Sequence, residues 1–160
     1  MGEKKLTGYP SIDKPWLKYY SEEAKSTEFP KMTIYSYLKE VNKDRLQDTA
    51  IYYYGTRISV KKLIERIDEC ADAFAAIGVK CGDTVSLLSA STPESIVALY
   101  ALNKIGATVN TIDPRLDKKS IARMIKGSGS EILMVIDMAY PQIAPSINEI
   151  AQKQIIVQTA

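Results

Sequence analysis

Three short polar stretches carry the residues with chemical reach: "SASTPE" (89–94), "DPRLD" (113–117) and "DMAYPQ" (137–142). In the first, Ser89, Ser91 and Thr92 lead into a helical pattern, where backbone N–H groups could hold an anion. A side-chain cap from Ser91 or Thr92 is the simpler use of the same hydroxyls. In the second, Asp113 can accept backbone donors of the turn that Pro114 begins. Arg115 could reach a phosphate or carboxylate, pair with Asp117, or face water. In the third, Asp137 at the end of "EILMVID" raises the prospect of a phospho-accepting aspartate. That chemistry needs further acids after the first strand and a lysine after a late one. Neither set stands in the right order, so Asp137 is expected to cap or terminate.

Other chemistry is excluded by composition. The chain contains no histidine, which removes Ser-His-Asp and Cys-His relays and His-containing zinc sites. Cys70 falls inside a helical pattern, as a small buried hydrophobe would, and Cys81 lies beside a turn. The glycine-rich "KGSGSE" (126–131) resembles a phosphate loop in composition only. It follows a helix and opens a strand, the reverse of the order required, and a helix C-terminus repels phosphate. No catalytic, cofactor-binding or metal-ligating residue is assigned.

Of the 160 residues, 46% are hydrophobic and 25% charged, with a formal net charge of +2. That is the profile of one soluble domain, without an electrostatic pull toward nucleic acid or a membrane surface. No apolar run approaches the ~20 residues that span a bilayer. The start, "MGEKKLTGYPSIDKP", has no signal-peptide core, and Leu6 stands where myristoylation needs Ser or Thr. A reducing, cytoplasmic setting is expected.

The elements that must position the polar stretches follow from periodicity. Residues 1–32 are rich in proline and aromatics and suggest an extended strap. "MTIYSYLKEV" predicts a short helix capped by Thr33, with Ile34, Leu38 and Val41 on one face. "TAIYYYGTRISV" predicts a hairpin, with Gly55-Thr56 as a type II′ turn. Val60, Leu63, Ile64, Ile67, Ala71 and Phe74 form a helical stripe, ended by Gly78 with Val79 covering the last turn.

An α/β core over 49–160 is expected from what comes next. "TVSLLSA", "ATVNTI" and "EILMVI" are strands of nearly unbroken apolar character, hence buried on both faces and parallel. The intervening helices are "TPESIVALYALNKIG", with Pro93 in its first turn, and "DKKSIARMIKG", capped by Asp117 with Leu116 stapled to Ile121. Gly106 ends the first of these tightly, without need of a ligand. A further unit pairs "SINEIAQK", with its Ser146-x-x-Glu149 capping box, with the strand "QIIVQT". Helices between parallel strands make right-handed crossovers and cover both faces of the sheet.

The order of these pieces is more specific than any one of them. "YYYGTRISVKKLIERIDECADAFAAIGVKCGDTVSLLSASTPESIVALYALNKIGATVNTIDPR" resembles the amino-terminal part of the acyl-adenylate-forming enzymes, which include AMP-forming acyl-CoA synthetases. The marks are "YGTRIS", the "GD-x-V" after the first long helix, "TPE" opening a helix, and "LNKIGATVNTIDP". The leading "IDKPWLKYY" is similar to the start of acyl-CoA ligases. The resemblance covers at least residues 12–137.

It implies a single partial domain, the amino-terminal subdomain of a long- or medium-chain fatty-acid–CoA ligase type. The intact enzyme would use ATP, Mg and CoA to activate a carboxylic acid. The chain's partner would then be the remainder of its own polypeptide, and residues 1–160 alone would be inactive. The Ser/Thr/Gly-rich phosphate loop ending in Pro-Lys does not occur in the sequence, so no active-site role transfers to any residue here. Two alternatives stay open: a non-catalytic module that self-associates through an exposed sheet edge, and a receiver-like signalling domain.

Overall fold

The computed structural model describes residues 6–146 and 153–159, in two compact units, Met1–Lys31 and Met32–Ala160. In the first unit, α1 (Pro10–Asp13), a 3-10 turn over Pro15–Tyr19 and α2 (Glu22–Ser26) follow one another. Where the sequence suggested an extended run, the backbone coils into short turns. Pro10 and Pro15 each sit in a first turn, where a missing N–H costs nothing. The Asp13 carboxylate accepts hydrogen bonds from the Thr7 and Gly8 N–H groups, both at 2.9 Å.

The second unit begins with α3 (Ile34–Val41), capped by Thr33 as expected. Its buried face differs from the apolar count. Tyr35 is the buried residue, while Ile34 is 60% exposed and Val41 50%. The ring of Tyr35 fills the core and its hydroxyl donates to Asp68, which also accepts from Lys104 at 2.7 Å. The Tyr35 N–H donates to the Asn103 side chain at 2.9 Å, so an orphan donor of the first turn is satisfied. Burial is the main reason the phenol is pushed far above its ordinary range, with Asp68 adding to it.

A hairpin follows, β1 (Thr49–Tyr53) and β2 (Thr56–Ser59). Its loop is Tyr54-Gly55, not Gly55-Thr56: Tyr53 pairs with Thr56 across the ladder. Tyr54 and Gly55 lie at φ 44° and 85°, the two positive values a type I′ turn needs. The right-handed twist of the strands selects that turn.

Helix α4 (Val60–Ala76) buries Val60, Leu63, Ile67, Ala71 and Phe74, and half-buries Ile64. It ends in a Schellman motif: the Val79 N–H donates to the Phe74 carbonyl and the Gly78 N–H to Ala75, both at 3.0 Å.

The α/β core then alternates β3 (Thr84–Leu88), α5 (Pro93–Ile105), β4 (Thr108–Ile112), α6 (Lys118–Ser128), β5 (Ile132–Ile136), α7 (Tyr140–Ile143) and β6 (Gln154–Gln158). The helix expected over 146–153, with its capping box, lies largely outside the described residues. Strands β3 to β6 form one parallel sheet in the order β4-β3-β5-β6. Val85 and Leu87 point to one core cluster with Leu63, Ile67, Phe74, Ala98 and Leu102. Leu88, Leu133 and Val135 point to another with Ile121, Ile125 and Ile143. The central strands are therefore apolar on both faces because helices cover both. Fully burying each such aliphatic side chain stabilises the fold by about 1.5–3 kcal/mol.

A polar seam crosses this sheet. Ser86 is wholly buried; its N–H donates to Ser130 Oγ at 2.9 Å, and its Oγ accepts from Asn110 at 3.0 Å. Ser130 Oγ donates onward to the Ile132 carbonyl.

Candidate functional site: a groove at the carboxyl edge of the sheet

From β3 the chain moves outward to β4, then returns across β3 to β5. Crossovers in opposite directions, which the right-handed rule turns to opposite sides, put α5 and α6 on separate core clusters, so the loops leaving β3 and β5 diverge. A crevice at such a switch point is where open α/β sheets bind ligands. Here it is a groove of about 840 Å³, walled by Ser89–Ser91, by Thr111–Arg115 and by Met138, Ala139 and Gln142. All three polar stretches singled out in the sequence meet in it.

Each wall is fixed by local chemistry. Thr92, not Ser91, caps α5: its Oγ1 accepts from the Ser95 N–H at 3.2 Å, and Ser95 Oγ accepts from the Thr92 N–H at 3.1 Å. Glu94 in the first turn pairs with Arg66 of α4 at 2.8 Å. Partial burial pushes the Glu94 carboxyl up, but hydrogen bonds from Arg66, the backbone and Thr92 outweigh it and hold it below its ordinary range.

On the middle wall, Asp113 accepts from the Arg115 N–H at 2.9 Å, the backbone role read from the sequence. It also binds the Arg115 guanidinium through both carboxylate oxygens, at 2.9 and 2.6 Å. Arg115 does not pair with Asp117, because Asp117 is spent on α6. Asp117 accepts from the Lys119 and Ser120 N–H groups at 3.0 and 3.1 Å, and from the Ser120 hydroxyl. Leu116 packs with Ile121 in the same cluster, as the staple requires. The Arg115 hydrogen bonds hold Asp113 at about 2, below its ordinary 3.8.

On the third wall, Asp137 accepts from the Met138 N–H at 2.7 Å, closing its own turn. Gln142 donates to the Leu116 carbonyl at 3.2 Å and ties this wall to the middle one.

The other stretches stay outside the groove. Gly129, at φ 66°, ends α6, two residues past the Gly127 at which the sequence pattern ended, so "KGSGSE" is a helix stop leading into β5. Cys70 is half-buried, and burial raises its thiol above the ordinary range against the pull of Arg66. Sequence reasoning missed Gln158. This buried glutamine of β6 donates to Thr92 Oγ1 at 2.9 Å, and no local sequence pattern marks it out from Gln154 on the same strand.

The family model for AMP-binding enzymes matches residues 38–160, three-quarters of the chain and every strand among the described residues. The chain belongs to the AMP-binding enzyme family. Among curated proteins, a peroxisomal trans-cinnamate:CoA ligase of Petunia hybrida is 29% identical over 104 residues, 65% of this chain and 18% of its own length. Probable acyl-activating enzyme 8 of Arabidopsis thaliana is 35% identical over 74 residues, 46% of this chain and 13% of its own length. The chain thus spans about a fifth or less of these relatives.

Solved structures agree on the fold. A long-chain-fatty-acid-CoA ligase from Archaeoglobus fulgidus superposes with a TM-score of 0.75 at 17% identity, covering 83% of this chain and 28% of that one. The anthranilate CoA ligase AuaEII gives 0.74 at 19% identity, covering 79% and 25%. Among the described residues no helix is long and apolar enough to cross a membrane.

Proposed function

We propose that this chain is the amino-terminal part of an ATP-dependent, AMP-forming acyl-CoA synthetase, and that its groove faces the rest of that polypeptide. The observation that carries the reading is the family match over residues 38–160, which takes in the whole parallel sheet. In the intact enzyme a carboxylic acid, of the long- or medium-chain fatty-acid class, becomes an acyl-adenylate and then a thioester with CoA.

The described residues do not fit a magnesium ion. No group of three or more His, Cys, Asp or Glu among them could hold a metal, and the groove's carboxylate, Asp113, already grips Arg115. Among the described residues that line the groove the cation is Arg115, and it already pairs with Asp113 at 2.6 Å. ATP, magnesium and CoA would be held by the remainder of the polypeptide.

The test is the polypeptide made by the natural reading frame continued past Ala160, assayed for ATP–pyrophosphate exchange with fatty and aromatic acids. The proposal expects a Ser/Thr/Gly-rich loop ending in Pro-Lys in that frame, and exchange that needs a carboxylic acid. A stop codon directly after residue 160, or no exchange with any acid, would refute it.

A further inference from the structure

Gln158 does not line the groove, yet it touches both loops that wall it. It is the last residue of β6 and is 5% exposed. In the ladder it lies beside Ile136, the last residue of β5. Its side-chain amide reaches past β5 to the loop leaving β3. There Nε2 donates to Thr92 Oγ1 at 2.9 Å, and Oε1 accepts from Ser89 Oγ at 3.5 Å, the outer limit of a hydrogen bond. Its backbone carbonyl accepts from the Asp137 N–H at 2.8 Å, at the exit of β5.

Thr92 is itself 3% exposed and already accepts from the Ser95 N–H as the cap of α5. A buried amide left without a partner would be costly, so the Gln158 side chain is held in one geometry against Thr92. One residue of an outer strand therefore registers the Ser89–Ser91 wall against the wall of Met138, Ala139 and Gln142. The two loops have no shared ladder of their own at this point, since β3 and β5 pair only from Val85↔Ile132 to Leu88↔Val135.

We propose that Gln158 is a positioning residue that sets the spacing of the two outer walls of the groove, one through its side chain and the other through its backbone. The chain's own hydrogen bonds carry this, independently of the ligase reading, so either can fail without the other. The division of labour gives it a signature. Removing the side-chain amide frees the first wall and leaves the second held by the backbone carbonyl.

The experiment compares the 160-residue chain with Gln158→Met, of similar length and without the amide, by NMR. The amides of Thr92 and Ser95 are expected to exchange with solvent about tenfold faster, the loss of roughly one buried hydrogen bond. The Ala90 methyl shifts, while the Asp137 amide and the Ala139 methyl keep their wild-type behaviour. Unchanged Thr92 and Ser95 exchange, or equal acceleration at core amides such as Ile67 and Leu102, would overturn the proposal, the latter by showing only lost packing.

Gln158→Glu supplies the rescue. At neutral pH its carboxylate cannot donate to Thr92 Oγ1, whose own proton is already given to Glu94. On acidification the protonated acid can, and the Thr92 methyl signal returns toward its wild-type position. Gln158→Met shows no such return. Equal acid responses in the two variants would also count against the proposal.

Discussion

At residue scale, competition for partners decides what the polar stretches do. Arg115 has a carboxylate two residues before it and another two residues after. Sequence spacing leaves the choice open, and the structure closes it because Asp117 spends both oxygens on α6. The Asp113 carboxyl is held at about 2 against an ordinary 3.8, chiefly by the Arg115 side-chain hydrogen bonds. Its folded value lies below its unfolded one, so its contribution to stability is complete above about pH 4. That contribution is lost as pH falls through about 2. A carbon-13 titration should place the Asp113 midpoint near 2 and return it toward 3.8 in Arg115→Gln; a midpoint unmoved by that substitution would remove Arg115 as the cause. Gly106 is a second such position. It ends α5 at φ 86°, and a Cβ there would stand 2.9 Å from Cys81 Sγ. Gly106→Ala should cost about 1–3 kcal/mol in urea unfolding, from backbone strain and the sulfur contact together. Adding Cys81→Ala should recover part of that, because only the contact is relieved.

Elements were legible where one force set them. The Schellman end of α4, the Thr33 and Asp117 caps and the parallel strands all follow from residue type and period, while the α5 cap was narrowed only to Ser91 or Thr92. Elements with two competing demands were not. Counting apolar residues put Ile34 and Val41 on the inner face of α3, but Tyr35 can bury its ring and still satisfy its hydroxyl at Asp68. A binary pattern treats such an amphipathic side chain as an outsider. The hairpin turn likewise hung on register: the pairing of Tyr53 with Thr56 forces Tyr54 into positive φ, a conformation its side chain would not choose. In α6 the sequence stopped the helix at Gly127, whereas it continues to Ser128 and Gly129 makes the left-handed stop. Gly127 thus sits in ordinary helical backbone with open space at its Cβ position. Gly127→Ala should stabilise the chain by about 0.5–1 kcal/mol in urea unfolding. Gly129→Ala, at φ 66°, should destabilise it. Equal effects at the two glycines would contradict this end to α6.

For the whole molecule, strands without alternation announced a sheet covered on both sides, and the three loops at its carboxyl edge could be named before their geometry was known. Strand order could not be read from the sequence, because several arrangements satisfy right-handed crossovers. The clasp from Gln158 was also hidden, being a contact across 66 residues. The fold and the family match place this chain within the AMP-binding enzymes, and its groove is walled by an ion pair already closed on itself. We propose that residues 1–160 shape part of such an enzyme without performing adenylation themselves. ATP–pyrophosphate exchange, measured side by side on the purified 160-residue chain and on the polypeptide of the continued reading frame, tests this most directly. Acid-dependent exchange is expected from the longer polypeptide, and none above background from residues 1–160. Exchange by the 160-residue chain alone, at a rate comparable to the longer one, would contradict it.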